Sequence, residues 1–333
     1  GEPYYGDWVA PLEECYQRVA YNAVPKNIPK PLITTGYLYY DCLLMIKMAA
    51  LTGHDEDIPL YEKTAREAKT AINASLLAEN GYLPGSQGAN SFPLFLDIVP
   101  ENKKQAAVQS LLRDVRGRGW HITTGNQTTK YLFEALDRLG MNDDAYKIMA
   151  SDTYPSLGYM IKSGATTIWE RWENEIGSSM NSHNQPMLCA CTSWLYKALG
   201  GIRLEGHPDG LNTVVISPAF PEELDCAQAS YLSFKGVIST KWQRIKGEIQ
   251  LSLSIPWNTS ALLILPQGCQ PHIKPVFSGP SGPAPDSSSS FSEHQSIPER
   301  EQKGLFPLPG GGIELASGDY LVSFNEARTK RRV

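Results

Sequence analysis

The stretch Gly164-Ala-Thr-Thr-Ile-Trp-Glu-Arg-Trp-Glu173 carries the strongest signal in this chain. It places one carboxylate, Glu170, between two indoles, Trp169 and Trp172. Aromatic faces stack well on the apolar faces of sugar rings. A carboxylate among aromatic rings is also partly desolvated, which favours acid–base chemistry near neutral pH. The alternative is a helix N-terminus with acids near the positive end of its dipole and both Trp side chains in the core. On spacing alone, the helix N-terminus with core Trp residues is favoured over the sugar-binding site.

Further motifs flank this stretch in a fixed order. They are Trp120-His-Ile-Thr-Thr-Gly125, Thr129-Lys-Tyr-Leu-Phe133, Tyr154-Pro-Ser-Leu-Gly-Tyr-Met160, Asn184-Gln-Pro-Met187, Trp194-Leu-Tyr196 and Gly201-Ile202. Together with the Glu170 stretch they resemble the C-terminal part of the bacterial and fungal α-L-rhamnosidases of glycoside hydrolase family seventy-eight. The likeness extends from about Gly6 to the final strand, except for one insertion in this chain. Several motifs in one order are more specific than any single motif.

The period of the apolar residues changes along the chain. Apolar residues first recur every three or four positions, as in a helix. From about Leu211 they recur every second position, as in a strand; for example, Ile249, Leu251, Leu253 and Ile255 alternate with polar residues. We predict helices at about 35–51, 59–77, 87–99, 101–115, 124–139, 143–151 and 186–199, and strands at 213–216, 231–234, 236–244, 249–255, 261–265 and 313–324.

This order predicts a multidomain α and β protein. The resemblance implies that residues 1–205 are part of an (α/α)6 six-hairpin barrel and that 206–333 are a C-terminal antiparallel β-sandwich. Within the sandwich, a stretch rich in Pro and Ser at 278–303 predicts a disordered insertion. The predicted helices are too few for a complete barrel.

Composition excludes several classes of function. The net charge of −5 offers no general attraction to nucleic acid. No apolar run approaches the roughly 20 residues of a membrane span. The six cysteines form no metal-type cluster, so we expect no metal and no cofactor. Three glycosylation sequons, at Asn73, Asn126 and Asn258, favour a secreted or extracellular protein, with a cytoplasmic one as the alternative.

The resemblance also implies the chemistry. Glu170 matches the general base of an inverting glycosidase that hydrolyses terminal α-L-rhamnosides, and we expect it at the floor of an open cleft walled by Trp169, Trp172 or Trp120. The family's general acid lies in a motif ahead of its Gly-Asp-Trp segment, which would place it before Gly1. We therefore expect a missing N-terminal part of the same protein, or a companion chain, as a partner, and little turnover by this chain alone. The substrate-binding candidates, for a rhamnose-containing glycan or glycoside, are Asp7, Trp8, Trp120, His121, Trp169, Trp172, Gln185 and His183.

Two candidates have competing interpretations. Asp7 could instead cap a loop. Gln185 stands where the family's motif has His, and Gln does not titrate, while His183, two positions earlier, points about half a helical turn away. A non-catalytic carbohydrate-binding homologue and a structural extracellular module therefore remain alternatives to an α-L-rhamnosidase.

Overall fold

The computed structural model describes residues 6–14, 26–175, 182–204, 213–276 and 312–325. The chain divides into two compact units, Gly1–Thr192 and Ser193–Val333. The predicted disordered insertion at 278–303 lies outside the described residues. No helix in the described part of the chain combines the length and the hydropathy that a bilayer span requires.

The first unit is helical, as the 3.6-residue period predicts. Helix α1 packs mainly against α2, and α3 packs against both α4 and α5. The helices are α1 (Lys30–Thr52), α2 (Ile58–Leu76), α3 (Gln87–Leu96), α4 (Glu101–Gly117), α5 (Thr129–Arg138), α6 (Asn142–Ala150) and α7 (Leu157–Lys162).

The core of the first unit lies where α1, α3 and α5 meet. All ten residues of α3 are buried, including Gln87, whose amide donates to the His121 carbonyl oxygen, and Asn90, whose Oδ1 accepts from the Tyr82 N–H. Tyr131 on α5 packs its ring 4.9 Å from Phe92 and 4.5 Å from Phe95, measured between ring centroids. These aromatic contacts fix α5 against α3, and the loop before α5 is fixed with it.

Three of the helices differ most from the sequence prediction. Helix α1 starts at Lys30 and takes Pro31 into its first turn, where a missing N–H costs nothing. Helix α5 starts at Thr129, because residues 124–128 form a separate loop. The predicted helix at 186–199 is wrong as a continuous α-helix: it is a 3₁₀ helix, Leu188–Thr192, and a π-helix, Leu195–Leu199.

Two elements were missed in the first unit. Helix α7 is only six residues long, too short to show a clear period. The strands β1 (Leu77–Ala78) and β2 (Gly81–Tyr82) form a two-residue hairpin directly after α2. Both elements are held by local caps and turns, which hydrophobic periodicity does not report.

The second unit is a β-sandwich, as predicted. One sheet has the order β10-β8-β4-β3 and the other β5-β6-β7-β11-β9, and both contribute to one apolar core. All pairs in the described residues are antiparallel except β4 with β8, which is parallel. The strands are β3 (Ile202–Arg203), β4 (Thr213–Ile216), β5 (Cys226–Ser233), β6 (Gly236–Ile245), β7 (Glu248–Ile255), β8 (Ser260–Leu263), β9 (His272–Val276), β10 (Ile313–Leu315) and β11 (Gly318–Asn325).

The π-helix belongs to the second unit through hydrogen bonds to β6. The indole of Trp242 donates to the Leu199 carbonyl oxygen at 2.8 Å, and the Thr240 hydroxyl donates to the Gly200 carbonyl oxygen at 2.5 Å. These bonds bind the turn after the π-helix to the sandwich. The domain boundary that we placed between residues 205 and 206 from the sequence remains a prediction.

Candidate active site

The Glu170 stretch lies in an extended segment that pairs with residues 182–185. The backbone N–H of Glu170 donates to the Ser182 carbonyl oxygen at 2.8 Å, and the Gln185 N–H donates to the Ile168 carbonyl oxygen at 2.9 Å. In return, the Ser182 N–H donates to Oε2 of the Glu170 side chain at 3.1 Å. The Glu170 carboxylate is half-buried, and its position is set by backbone that comes from twelve residues further along the chain.

The two indoles beside Glu170 are part of the core. Trp169 is 3% exposed and Trp172 is 0% exposed. The Trp172 indole N–H donates to the Thr124 carbonyl oxygen at 3.0 Å, while Trp169 stacks on the His183 ring with centroids 4.6 Å apart. The expectation that these two rings wall an open cleft is therefore not met in this structure. Their burial instead fixes the backbone on either side of Glu170.

Glu173 anchors the far end of the same segment. Its Oε1 accepts hydrogen bonds from the Leu12 N–H at 2.8 Å and from the Tyr154 hydroxyl at 2.6 Å. Burial, followed by the bond to Glu173 and its charge, raises the pKa of Tyr154 far above its ordinary value, so the phenol stays a donor. Glu173 thus joins three distant parts of the chain next to Glu170. The sequence showed this acid but gave it no role.

Asp7 caps the loop before α5. Its carboxylate accepts hydrogen bonds from the N–H groups of Gly125, Gln127 and Thr128 at 2.7, 3.0 and 2.8 Å and from the Thr128 hydroxyl at 2.5 Å. Burial raises the pKa of Asp7, and these four donors oppose that rise. Only glycine fits at position 125, because a Cβ would collide with the carbonyl oxygens of Asp7 and Trp8. The geometry corresponds to the loop-capping alternative, and a role for Asp7 as a sugar ligand stays a prediction.

The neighbouring candidate Trp8 contributes to the same loop. It is half-buried, and its carbonyl oxygen accepts a hydrogen bond from the Asn126 N–H at 2.8 Å. The Asp7-Trp8 pair therefore fixes the loop through both backbone and side chain.

Trp120 and His121 engage α6 and the loop before α7. The Trp120 indole N–H donates to Asp144 at 2.9 Å, and Lys147 lies 4.7 Å from the centroid of the indole ring. His121 hydrogen-bonds through Nε2 to the Thr153 hydroxyl at 2.7 Å. Among the described contacts, none joins these two residues to Glu170, and their part in sugar binding stays a prediction.

Gln185 and His183 lie on the segment that pairs with Glu170. Both side chains are half-buried. The His183 ring nitrogen Nε2 hydrogen-bonds to the Glu175 carbonyl oxygen at 3.1 Å, and Gln185 Oε1 accepts from the Met187 N–H at 3.4 Å. The His183 side chain is therefore bonded to backbone that follows Glu170 in sequence. The Gln185 side chain is bonded to backbone two residues after itself.

A cleft of about 230 Å³ opens beside the segment of residues 182–185 that pairs with the Glu170 stretch. It lies between α1, the loop before α5 and the residues that follow Gln185. Its lining residues are Tyr37, Asn126, Gln127, Lys130, Tyr131, Pro186, Met187 and Ala190. Sequence reasoning missed the cleft, because its lining comes from three separate stretches. The one available signal was the polar pair Asn126-Gln127 directly after the Thr-Thr-Gly motif.

The side chains of the described residues do not converge on a metal. No group of three or more His, Cys, Asp or Glu side chains there could hold an ion.

Comparison with known families accounts for both units. The bacterial alpha-L-rhamnosidase 6 hairpin glycosidase domain matches residues 2–199, and the bacterial alpha-L-rhamnosidase C-terminal domain matches residues 201–277. The fold and these matches define a chain of the six-hairpin glycosidase class, with a C-terminal sandwich domain after the helical one. The chain belongs to the bacterial α-L-rhamnosidase family.

Individual relatives agree with this assignment. An α-L-rhamnosidase from Streptomyces avermitilis is 31% identical over 269 residues, which is 79% of this chain and 24% of that protein. A solved α-L-rhamnosidase from Dictyoglumus thermophilum superposes with a TM-score of 0.78 at 30% identity, over 97% of this chain and 34% of that one. The Streptomyces avermitilis enzyme in complex with L-rhamnose gives a TM-score of 0.73 at 26% identity, over 96% of this chain and 28% of that one. The chain thus spans about a quarter to a third of the length of these relatives.

Proposed function

We propose that this chain is part of an α-L-rhamnosidase, which hydrolyses terminal α-L-rhamnosides with inversion, and that Glu170 is its general base. The observation that carries the proposal is the way Glu170 is held. One carboxylate oxygen accepts the Ser182 N–H, within a segment whose two Trp side chains are buried in the core. The support from relatives is that the matched proteins are named α-L-rhamnosidases and that one was solved with L-rhamnose.

The geometry suits a base. Oε2 of Glu170 is fixed by the Ser182 N–H, whereas no donor among the described residues reaches Oε1. One oxygen is thereby oriented and the other can accept a proton from water. In an inverting glycosidase the base activates water on the face opposite the leaving group, and the acid lies about 6.5–9.5 Å from it. We propose that this acid is contributed by polypeptide that precedes the residues of this chain.

Helix α1 supports the proposal that more of the barrel covers this unit. It is apolar around most of its circumference, and a helix of that kind is normally buried on all sides. Here Met48 is 55% exposed and Leu51 is 86% exposed, and Leu38 and Met45, earlier on the same helix, are exposed as well. A run of exposed apolar side chains of this size marks an interface. We propose that further helices of the same protein, or of a companion chain, pack there.

A second candidate function is a carbohydrate-binding homologue without turnover. The observation that favours it is Gln185, which replaces a titratable His of the family motif by an amide. An amide keeps both donor and acceptor capacity, so sugar binding would survive while proton chemistry would weaken.

The proposed location is extracellular. Asn258 is exposed on the turn between β7 and β8 and can accept a glycan, whereas Asn73 already donates its amide N–H to the Ile98 carbonyl oxygen at 2.9 Å. One of the three sequons is therefore well placed for modification if the protein passes through a glycosylating compartment.

An activity assay with matched variants tests the proposed function. The complete gene product that carries this chain should hydrolyse an aryl α-L-rhamnoside, and Glu170→Gln should lower kcat by about 10²–10⁴. Glu101→Gln is the control, because Glu101 is an exposed acid on α4. Binding of L-rhamnose without hydrolysis by the unsubstituted protein would favour the carbohydrate-binding alternative. Equal activity of Glu170→Gln and the control would refute Glu170 as the base.

A further inference from the structure

The cleft beside α5 contains more chemistry than the proposed reaction uses. Its walls carry two phenol rings, two amides, one thioether and one ammonium group. The segment that pairs with Glu170 continues through Gln185 into Pro186 and Met187, which line the cleft. A group bound there would therefore contact the continuation of the segment that pairs with the Glu170 stretch, although Glu170 itself is not among the lining residues.

The size and the apolar part of the cleft suit a single sugar ring. At about 230 Å³ it is smaller than the roughly 300–1,000 Å³ of sites for drug-sized ligands. The rings of Tyr37 and Tyr131 meet edge to face with centroids 6.2 Å apart, and Met187 completes the apolar lining. Aromatic surfaces of this kind pack against the C–H faces of a pyranose.

The amides supply directional hydrogen bonds. The Tyr37 hydroxyl donates to Gln127 Oε1 at 3.0 Å, which orients the amide and leaves its N–H₂ without an acceptor among the described residues. Asn126 Oδ1 is enclosed and accepts no hydrogen bond from any described residue. A ring hydroxyl in the cleft can accept a hydrogen bond from the Gln127 amide N–H₂.

The charge of the cleft comes from Lys130. The side chain is half-buried, and its Nζ lies 5.8 Å from the centroid of the Tyr131 ring. No carboxylate of the described residues lies within 4.0 Å of that Nζ, whereas Lys103 on α4 has Glu79 at 2.7 Å. Lys130 is therefore a half-buried ammonium group that lines a ligand-sized space and has no carboxylate partner among the described residues, which favours an anionic ligand.

Three carboxylates near the cleft oppose that preference only in part. Glu134 is buried one helical turn after Lys130, and its charge adds to burial in raising the pKa of Tyr131. It also acts on the Arg138 guanidinium: burial lowers the pKa of Arg138 to about 10, and the Glu134 charge opposes that fall. Asp7 is occupied by four hydrogen-bond donors. Asp41 is exposed, and its charge adds to burial in raising the pKa of Tyr37. Because Asp41 is in water, salt and solvent screen its charge more strongly than that of a half-buried group.

We propose that the cleft binds a sugar ring that carries an anionic group, a carboxylate or a sulfate, with Lys130 as its counter-ion. This inference rests on the proposed function and specifies its substrate class: a rhamnoside whose neighbouring sugar is acidic. Tyr37, Gln127 and Lys130 then determine specificity for the group attached to rhamnose, while Glu170 acts at the bond that breaks.

Titration of the complete gene product that carries this chain with three monosaccharides tests the inference. The probes are D-glucuronate, D-glucose 6-sulfate and neutral D-glucose, with affinities measured by NMR line-shape and chemical-shift changes. At about 20 mM salt, at least one anionic sugar should bind about 5–10-fold tighter than glucose. The preference should shrink at about 500 mM salt. The stronger of the two anionic probes identifies carboxylate or sulfate as the preferred group.

Two lysine variants provide the control. Lys130→Gln should abolish the preference for the charged sugars, and Lys63→Gln, a change on the exposed face of α2, should retain it. Equal affinity for charged and neutral sugars, absence of binding by all three, or an unchanged preference in Lys130→Gln would overturn the inference. Failure of the complete gene product to hydrolyse a neutral aryl α-L-rhamnoside bears on the proposed function alone. If hydrolysis failed but anionic sugars were still bound in preference to glucose, the binding inference would hold while the proposed function would not.

Discussion

Replacement of Asp7 by alanine tests how the cleft loop is built. The Asp7 carboxylate reaches across 118 residues of sequence to Gly125, and it accepts four hydrogen bonds from the loop of residues 125–128. Two residues of that loop, Asn126 and Gln127, line the cleft. Asp7→Ala removes every one of these acceptors at once and leaves three N–H groups and one hydroxyl in a buried position.

The magnitude follows from the number of donors. Each buried donor left without a partner costs about 1–3 kcal/mol, so four of them set an upper limit of about 12 kcal/mol. Water that enters the space left by the carboxylate will satisfy some of them, and we expect a net loss of about 3–5 kcal/mol. Asp7→Asn keeps one acceptor oxygen and should cost about 1–3 kcal/mol.

Two measurements check this prediction. Urea unfolding should show the loss of stability in the transition of the helical unit. Hydrogen exchange should show faster exchange of the amides of Gly125, Gln127 and Thr128 than in the unsubstituted chain. A loss below about 1 kcal/mol, with unchanged exchange of these three amides, would refute the assignment of Asp7 as the cap of this loop.

Two further predictions concern the ion pair between Arg116 on α4 and Asp144 on α6, and the sequons. Burial opposes ionisation of Asp144, but hydrogen bonds from Arg116 and Trp120 outweigh it and hold its pKa below the ordinary value. Its stabilisation is therefore complete above the unfolded pKa of about 3.9 and is lost as pH falls through the lower folded pKa. Asp144→Asn should cost about 1–2 kcal/mol at pH 7 and flatten the acid limb of the stability curve, and an unchanged limb would contradict this. In a secreting eukaryotic host, mass spectrometry should find a glycan on Asn258 and none on Asn73, because the Asn73 amide is engaged within the fold; a glycan on Asn73 would contradict that assignment.

Local periodicity predicted most of the fold. The apolar stripes of α2 and α4 and the alternation of β7 depend on side chains a few residues apart, so they can be read directly from the sequence. The predicted helix at 186–199 was wrong as a continuous α-helix because the period does not separate an α-helix from a 3₁₀ turn followed by a π-turn. The alternation of apolar residues does not show strand direction, so it could not predict that β4 and β8 pair in parallel.

The candidate site was less predictable, because it depends on contacts between distant residues. The Glu170 stretch was recognised from its motif, yet nothing in the motif shows that Trp169 and Trp172 are buried. The role of Glu173 depends on Leu12 and Tyr154, and the cleft depends on helices and loops that are far apart in sequence. Residue types indicated the chemistry, and tertiary packing decided which side chains are available for it.

Chemical rescue of Glu170→Ala tests the central claim most directly. In the complete gene product, this substitution should lower hydrolysis of an aryl α-L-rhamnoside by about 10²–10⁴, because it removes the base that activates water. Azide needs no base, so it should restore turnover of the aryl α-L-rhamnoside and give the β-L-rhamnosyl azide, the product of inversion. We expect that β-azide to be the main product by NMR. Undiminished hydrolysis by Glu170→Ala, or a rescued product with the α configuration, would contradict the assignment of Glu170 as the base of an inverting enzyme.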